Sequence, residues 1–201
     1  MPRPESSEAG ERLDAAAELR RQAEGLAIGR TIALVGLMGA GKTTIGRRLA
    51  AALDLPFADA DHEIEKAAGR SVPDIFAEHG ECEFRRGERQ VIARMLEGRP
   101  HVLATGGGAF IDPRTRALMK ERAISIWLKA PIEVLMKRVA KRDDRPLLKE
   151  SDPRAVMERL MADRYPIYAE ADITIETGNG PHNNAVGLIL DALRVHLAKA
   201  E

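Results

Sequence analysis

The residues most able to do chemistry come early, in Gly36-Leu-Met-Gly-Ala-Gly41-Lys42-Thr43-Thr44. An apolar run precedes them and a helical pattern follows, so the spacing G-x-x-x-x-G-K-T has the strand–loop–helix setting that a phosphate cradle requires. Glycines let the backbone wrap a phosphate with successive amide hydrogens turned inward, and the N-terminus of the following helix adds a favourable dipole. Lys42 then reaches the β- and γ-phosphates, and the Thr43 hydroxyl can ligate Mg²⁺. This is a nucleoside-triphosphate site. A strand ending in a single metal-binding Asp, the usual companion in motor ATPases, is missing; the third apolar run ends instead in Thr105-Gly-Gly-Gly108.

A second group of residues suits an acceptor. Asp59-Ala60-Asp61 closes the second apolar run, at the carboxyl end where open α/β sheets bind ligands. Alone, such a pair is equally at home in a turn or a helix cap. One β-α unit beyond a phosphate loop, it can hold an acceptor hydroxyl and support the metal. Phe84-Arg85-Arg86-Gly87-Glu88 offers a guanidinium with a carboxylate one helical turn on, able to fix its rotamer. Gly106-Gly107-Gly108 lets backbone amides approach a ligand closely. Arg145 lies in Arg145-Pro-Leu-Leu148, and Arg164 in Arg164-Tyr-Pro-Ile-Tyr168. Any one of these arginines by itself suits a solvated face. Together, each beside a glycine or proline feature, they suggest an anion-gripping set. Cys82, between Glu81 and Glu83, is a poor nucleophile because neighbouring negative charge raises a thiol's pKa. His62 has no companions spaced for zinc.

Elements to position these groups are legible as short apolar runs separated by helical stretches. The runs are Thr31-Ile-Ala-Leu-Val35, Pro56-Phe-Ala58, His101-Val-Leu-Ala-Thr105, Ala123-Ile-Ser-Ile-Trp-Leu128 and Ile173-Thr-Ile175. The stretches between them are too long for hairpins, which predicts βαβ units and a parallel sheet covered on both faces. Asp112-Pro113, Asp152-Pro153 and Ser71-Val-Pro-Asp74 read as helix starts. The charged, proline-containing segment 141–152 reads as an exposed loop. Residues 1–29 differ in composition and are expected to form a helical or frayed extension, with residues 30–201 as the catalytic domain.

The bulk properties set limits on this reading. At 201 residues, 44 % hydrophobic and 31 % charged, the chain fits one globular domain. Lys plus Arg and Asp plus Glu are 31 each, so no global field argues for nucleic acid or an anionic membrane. A single cysteine rules out an internal disulfide and suits a reducing compartment. With no apolar run long enough to span a bilayer and no secretory signal, a soluble cytoplasmic protein is expected.

The series G-x-x-G-x-G-K-[ST]-T, D-x-D, F-R-x-x-E, G-G-G, R-P-L-L and R-x-P-x-Y, in this order, resembles the shikimate kinase family over about residues 31–197. The resemblance implies a P-loop kinase fold of class α/β, with five parallel strands ordered 2-3-1-4-5, helices on both faces and a mobile lid. It implies transfer of the γ-phosphoryl group of ATP to the 3-hydroxyl of shikimate, with Mg²⁺, in aromatic amino-acid synthesis. Gly39, Ala40, Gly41, Lys42, Thr43 and Thr44 would hold the phosphates, Thr43 the metal directly and Asp59 the metal through water. Asp61 would bind the acceptor hydroxyls as base or orienter. Arg85 and Arg164 would grip the shikimate carboxylate, with Glu88 holding Arg85 and Gly106, Gly107 and Gly108 alongside. Arg145 would swing over the phosphates and Arg138 would stack on adenine. A monomer is expected, a dimer being the alternative. A kinase for gluconate would share the phosphate loop but has no evident use for paired carboxylate-gripping arginines. A non-catalytic relative should have lost Lys42, Asp61 or Arg145. The chain departs from the family in the loop 177–182, which keeps Pro181 but has no arginine to meet adenine.

Overall fold

The computed structural model of the chain describes residues 5–140 and 152–199, with side chains from residue 14 onward. The predicted strands form at the expected places: β1 (Thr31–Val35), β2 (Phe57–Asp59), β3 (Val102–Ala104), β4 (Ala123–Lys129) and β5 (Ile173–Glu176). All pairings are parallel and the order is β2-β3-β1-β4-β5, as the resemblance implied. Central β1 is buried at every position, because helices cover both faces of the sheet. Edge strand β5 alternates buried and exposed residues, the pattern of a strand with one face in water.

The helices are α1 (Glu5–Ala23), α2 (Lys42–Leu53), α3 (Ala60–Ala68), α4 (Val72–Leu96), α5 (Pro113–Arg122), α6 (Ile132–Val139), α7 (Pro153–Tyr168) and α8 (His182–Ala198). The three expected helix starts carry their caps. Asp112 accepts from the Arg114 and Thr115 amides, Asp152 from Ala155 and Ser71 from Asp74. Helix α4 is broken at Gly80, whose φ of 74° and ψ of 175° are non-helical. The second half of α4, which carries Arg85 and Glu88, therefore takes its own direction.

Register places the functional loops side by side. Leu34 on β1 pairs with Ala104 on β3, and Ala104 pairs with Asp59 on β2. The three strands thus release their chains at one level, into the phosphate loop, the Asp59–Asp61 turn and the Thr105–Gly108 turn. Thr105 fixes the last of these, its hydroxyl donating to the Leu34 carbonyl at 2.9 Å. On the other side, Asp172 Oδ2 accepts from both the Ser125 amide (2.7 Å) and its hydroxyl (2.6 Å), latching the start of β5 to β4.

Residues 14–29 lie on the α2–α8 face. Leu19 is buried in the main core, and Ala23, Leu26 and Ile28 pack against it. Arg194 Nη2 on α8 donates to the Gln22 carbonyl at 2.7 Å, satisfying a group left open at the end of α1. Among the described residues, no helix is long and apolar enough to cross a membrane.

Candidate active site

A cleft of about 520 Å³ opens at the carboxyl ends of β1, β2 and β3, and Gly39, Gly41, Lys42, Thr43, Thr44, Asp59, Asp61, Thr105, Gly107 and Arg138 line it. The phosphate loop can turn here because Gly41, the residue before α2, has a φ of 97° that side-chain-bearing residues rarely adopt. Lys42 Nζ donates to the Gly36 (2.7 Å) and Leu37 (3.0 Å) carbonyls, which hold the ammonium over its own loop. Thr43 Oγ1 donates to Asp59 Oδ2 at 2.8 Å, and Asp59 Oδ1 accepts from the Asp61 amide at 3.2 Å as the cap of α3. One carboxylate therefore ties the metal-competent hydroxyl to the turn that presents Asp61. These oxygen donors suit a hard cation such as Mg²⁺. Among the described residues, no three His, Cys, Asp or Glu side chains converge to cage a metal.

Gly106–Gly108 joins this half to the arginines. A β-carbon on Gly107 would lie 3.7 Å from both the Gly36 carbonyl oxygen and the Met38 amide nitrogen, and 3.8 Å from Arg164 Nη1. Arg164 Nη1 donates to the Gly107 carbonyl at 3.3 Å, and the Tyr168 hydroxyl donates to the same oxygen. Tyr168 is fully buried, and burial pushes its phenol up to about 12, so it stays a donor at neutral pH. A β-carbon on Gly108 would overlap the Arg85 guanidinium. Arg85 Nη1 donates to Glu88 Oε2 at 2.7 Å and Nη2 to Glu81 Oε1 at 3.2 Å. Burial opposes the charge on Arg85, but Glu88 and Glu81 outweigh it and hold the guanidinium above its usual range. Along the glycine turn, Gly106 thus lies against Asp61, Gly107 against Arg164 and Gly108 against Arg85.

The sequence model of the family described as shikimate kinase matches residues 38–194. The chain belongs to the shikimate kinase family. A shikimate kinase from Caulobacter vibrioides is 59 % identical over 165 residues, covering 82 % of this chain and 82 % of the relative. One from Bradyrhizobium diazoefficiens is 55 % identical over 168 residues, covering 84 % and 81 %. The solved structure of shikimate kinase from Acinetobacter baumannii in complex with shikimate superposes with a TM-score of 0.80 at 39 % identity, covering 88 % of this chain and 97 % of that one. As a member of this family the chain is a P-loop kinase, and the match takes in every site residue named above except Gly36 and Leu37.

The structure brings together Gly39, Ala40, Gly41, Lys42, Thr43, Thr44, Asp59 and Asp61 in the phosphate half. Arg85, Gly106, Gly107, Gly108 and Arg164 meet at the neighbouring glycine turn. Arg138 sits at the far edge, where Nη1 reaches the Gly39 and Ala40 carbonyls at 3.3 Å and Nη2 donates to the Gly178 carbonyl at 2.7 Å. It thereby bridges the phosphate loop and the loop 177–182. Arg145 and the charged segment 141–151 lie outside the described residues. Among the lining residues to which the sequence reading gave no role are Lys137 and His182. His182 begins α8, and burial, with Arg138 and Arg48, holds its imidazole below its usual range. Its position directly after the last β-α loop was the available signal, since such loops border the crevice.

Proposed function

We propose that the chain transfers the γ-phosphoryl group of ATP to the 3-hydroxyl of shikimate, giving 3-phosphoshikimate for aromatic amino-acid synthesis, in the cytoplasm and as a monomer. The observation that carries this reading is the meeting of a phosphate loop and two carboxylate-competent arginines at one turn, Gly106–Gly108. Phosphoryl transfer asks mainly for positioning and charge neutralisation, and each half supplies one reactant.

On the donor side, the amides of residues 39–44 and Lys42 hold the triphosphate, and Arg138 meets adenine. Lys42 exchanges its carbonyl partners for phosphate oxygens as ATP enters. Thr43 would hold Mg²⁺ directly and Asp59 through water, and the ion would supply charge neutralisation at the phosphates. Arg145 covers the phosphates from segment 141–152, limiting entry of water and hydrolysis of ATP.

On the acceptor side, Arg85 and Arg164 take the shikimate carboxylate, with Glu88 fixing the Arg85 rotamer. Asp61 accepts a hydrogen bond from the attacking hydroxyl and then its proton. A coupled assay of ADP release tests the whole reading, with shikimate, gluconate and other polyols offered separately. Shikimate-dependent turnover is expected; turnover with gluconate in its place overturns the assignment.

A further inference from the structure

Glu88 is 1 % exposed, yet only half of its carboxylate has a partner. Oε2 accepts from Arg85, whereas Oε1 is buried with no hydrogen-bond partner among the described residues. A β-carbon on Gly106 would lie 2.9 Å from that Oε1 and 2.7 Å from Asp61 Oδ1. Both oxygens therefore lie close to the bare Cα of Gly106, and Asp61 is one of the charges that act on Glu88. A buried carboxylate oxygen that has no donor and feels a second negative charge favours the protonated form.

Among the described residues, the charges that act on Glu88 come from three elements. Arg85 acts from its own helix, Asp61 from the start of α3, and Asp112 from the cap of α5, where Arg89 pairs with it at 2.9 Å. Arg164, on α7, donates to the neighbouring Gly107 carbonyl. Burial pushes the Glu88 carboxyl up, Arg85 draws it back down, and Asp61 and Asp112 push it up again, leaving it raised. Arg85 is the counter-ion that favours the ionised form, and Arg85 is also the group a substrate carboxylate engages. An anion arriving there brings a further negative charge beside Glu88 and makes its ionised form less favourable.

We propose that binding of the substrate carboxylate at Arg85 is coupled to uptake of one proton by Glu88 Oε1, and that the resulting carboxylic acid donates to Asp61 Oδ1 and holds it toward the acceptor hydroxyl. This rests on the reading of Arg85 as a carboxylate grip. The balance is simple. The ligand brings one negative charge, solvent supplies one proton, the Glu88 carboxylate becomes a carboxylic acid, and the O–H bond is the one covalent bond formed. Glu88 is thus a positioning residue that acts through both Arg85 and Asp61. Because its carboxyl titrates higher still in the complex, the coupling strengthens binding at pH below its free-enzyme titration. That contribution is lost as pH rises through the titration of the complex.

The test is calorimetric titration of shikimate into the full chain near neutral pH, in buffers of different ionisation heat. For the parent, the observed heat should change with the buffer in the sense of proton uptake; a buffer-independent heat overturns the proposal. Glu88→Gln, whatever affinity it retains, should show a buffer-independent heat, and a parent-like slope in that variant places the proton elsewhere and also overturns it. If that variant does not fold, the parent's pH profile decides. Shikimate affinity should weaken about threefold or more between about pH 6 and about pH 8.5, and a flat profile overturns the proposal. Arg85→Ala separates the underlying reading from this one. Unchanged shikimate affinity in that variant removes the grip and the coupling together, whereas weakened binding with a buffer-independent parent heat removes the coupling alone.

Discussion

Arg85 lies against the bare Cα of Gly108, so closely that a β-carbon at 108 would overlap its guanidinium. The glycine is needed for space, since its backbone, with φ −96°, is open to any residue. Gly108→Ala should therefore leave the fold intact, because the obstructing atoms are the end of a flexible side chain. It should displace Arg85 from its place on Glu88 and raise the shikimate Kd by about tenfold or more, the effect of misplacing one charge-assisted contact. Titration of shikimate, with a parallel melting curve, checks both halves. Parent-like shikimate affinity in a folded variant would show that Arg85 need not stand where it does.

The two arginines should share one phenotype. Arg85→Ala or Arg164→Ala removes a cation from opposite sides of the Gly106–Gly108 turn, and each should weaken shikimate about 10- to 100-fold, as for loss of a hydrogen bond to a charged group. ATP affinity should stay within about twofold, since neither side chain lines the phosphate loop. Normal shikimate affinity in both variants would remove the assignment of the carboxylate grip.

Lys42→Met should behave in the opposite way. Loss of the ammonium removes charge stabilisation felt most at the transferring phosphoryl group, so kcat should fall by about 10³ or more while shikimate still binds. Single-turnover transfer together with a shikimate titration separates the two. Loss of shikimate binding would mean that Lys42 also organises the acceptor half.

The sequence made the donor half plain because its chemistry is local: loop, lysine and threonine are contiguous, and the flanking strand and helix can be read from the same short stretch. The sheet was legible for a similar reason, as each buried strand is a compact apolar run. What could not be read is tertiary. Nothing in the order of residues says that Asp59 Oδ2 will accept the Thr43 hydroxyl, or that Asp61 and Glu88 both come close to Gly106, since strand register and the kink at Gly80 decide both. His182 closes a loop the sequence marks as departing from the family, but no short motif gave it a role. The burial of Leu19 was equally hidden, as α1 shows sparse apolar points and finds its partners on helices far along the chain.

That burial predicts what truncation does. Deleting residues 1–29 strips Leu19, Ala23, Leu26 and Ile28 from the α2–α8 face and exposes apolar surface beneath them. At about 1.5–3 kcal/mol for one fully buried leucine, with lesser amounts for the others, and about 2–4 °C per kcal/mol at this size, the melting temperature should fall by about 5–15 °C. Efficiency at a temperature where the truncated form is folded should stay within a few-fold, because none of these side chains enters the cleft. A loss beyond about a hundredfold, roughly 2.7 kcal/mol, would show that the extension completes the site through α2 or α8.

Asp59 and Asp61 sit two residues apart and should fail differently. Asp59 accepts the Thr43 hydroxyl and caps α3, so Asp59→Ala should cost about 1 kcal/mol of stability through the lost cap and weaken Mg²⁺-dependent ATP binding. Asp61 presents its carboxylate to the cleft without capping α3. Asp61→Asn preserves its shape but removes the charge that takes the hydroxyl proton, and transfer to shikimate should fall by about 10²–10⁴, the usual range for a positioned acid–base group. If the transition state is largely dissociative, deprotonation contributes less, and the loss should sit at the low end with weaker shikimate binding as the main symptom. ATP binding should survive, because Thr43 and the loop amides carry that contact. Single-turnover transfer beside separate ATP and shikimate titrations distinguishes these outcomes. An Asp61→Asn enzyme that transferred phosphate at the parent rate would sink the assignment and leave Asp59 as the carboxylate to test.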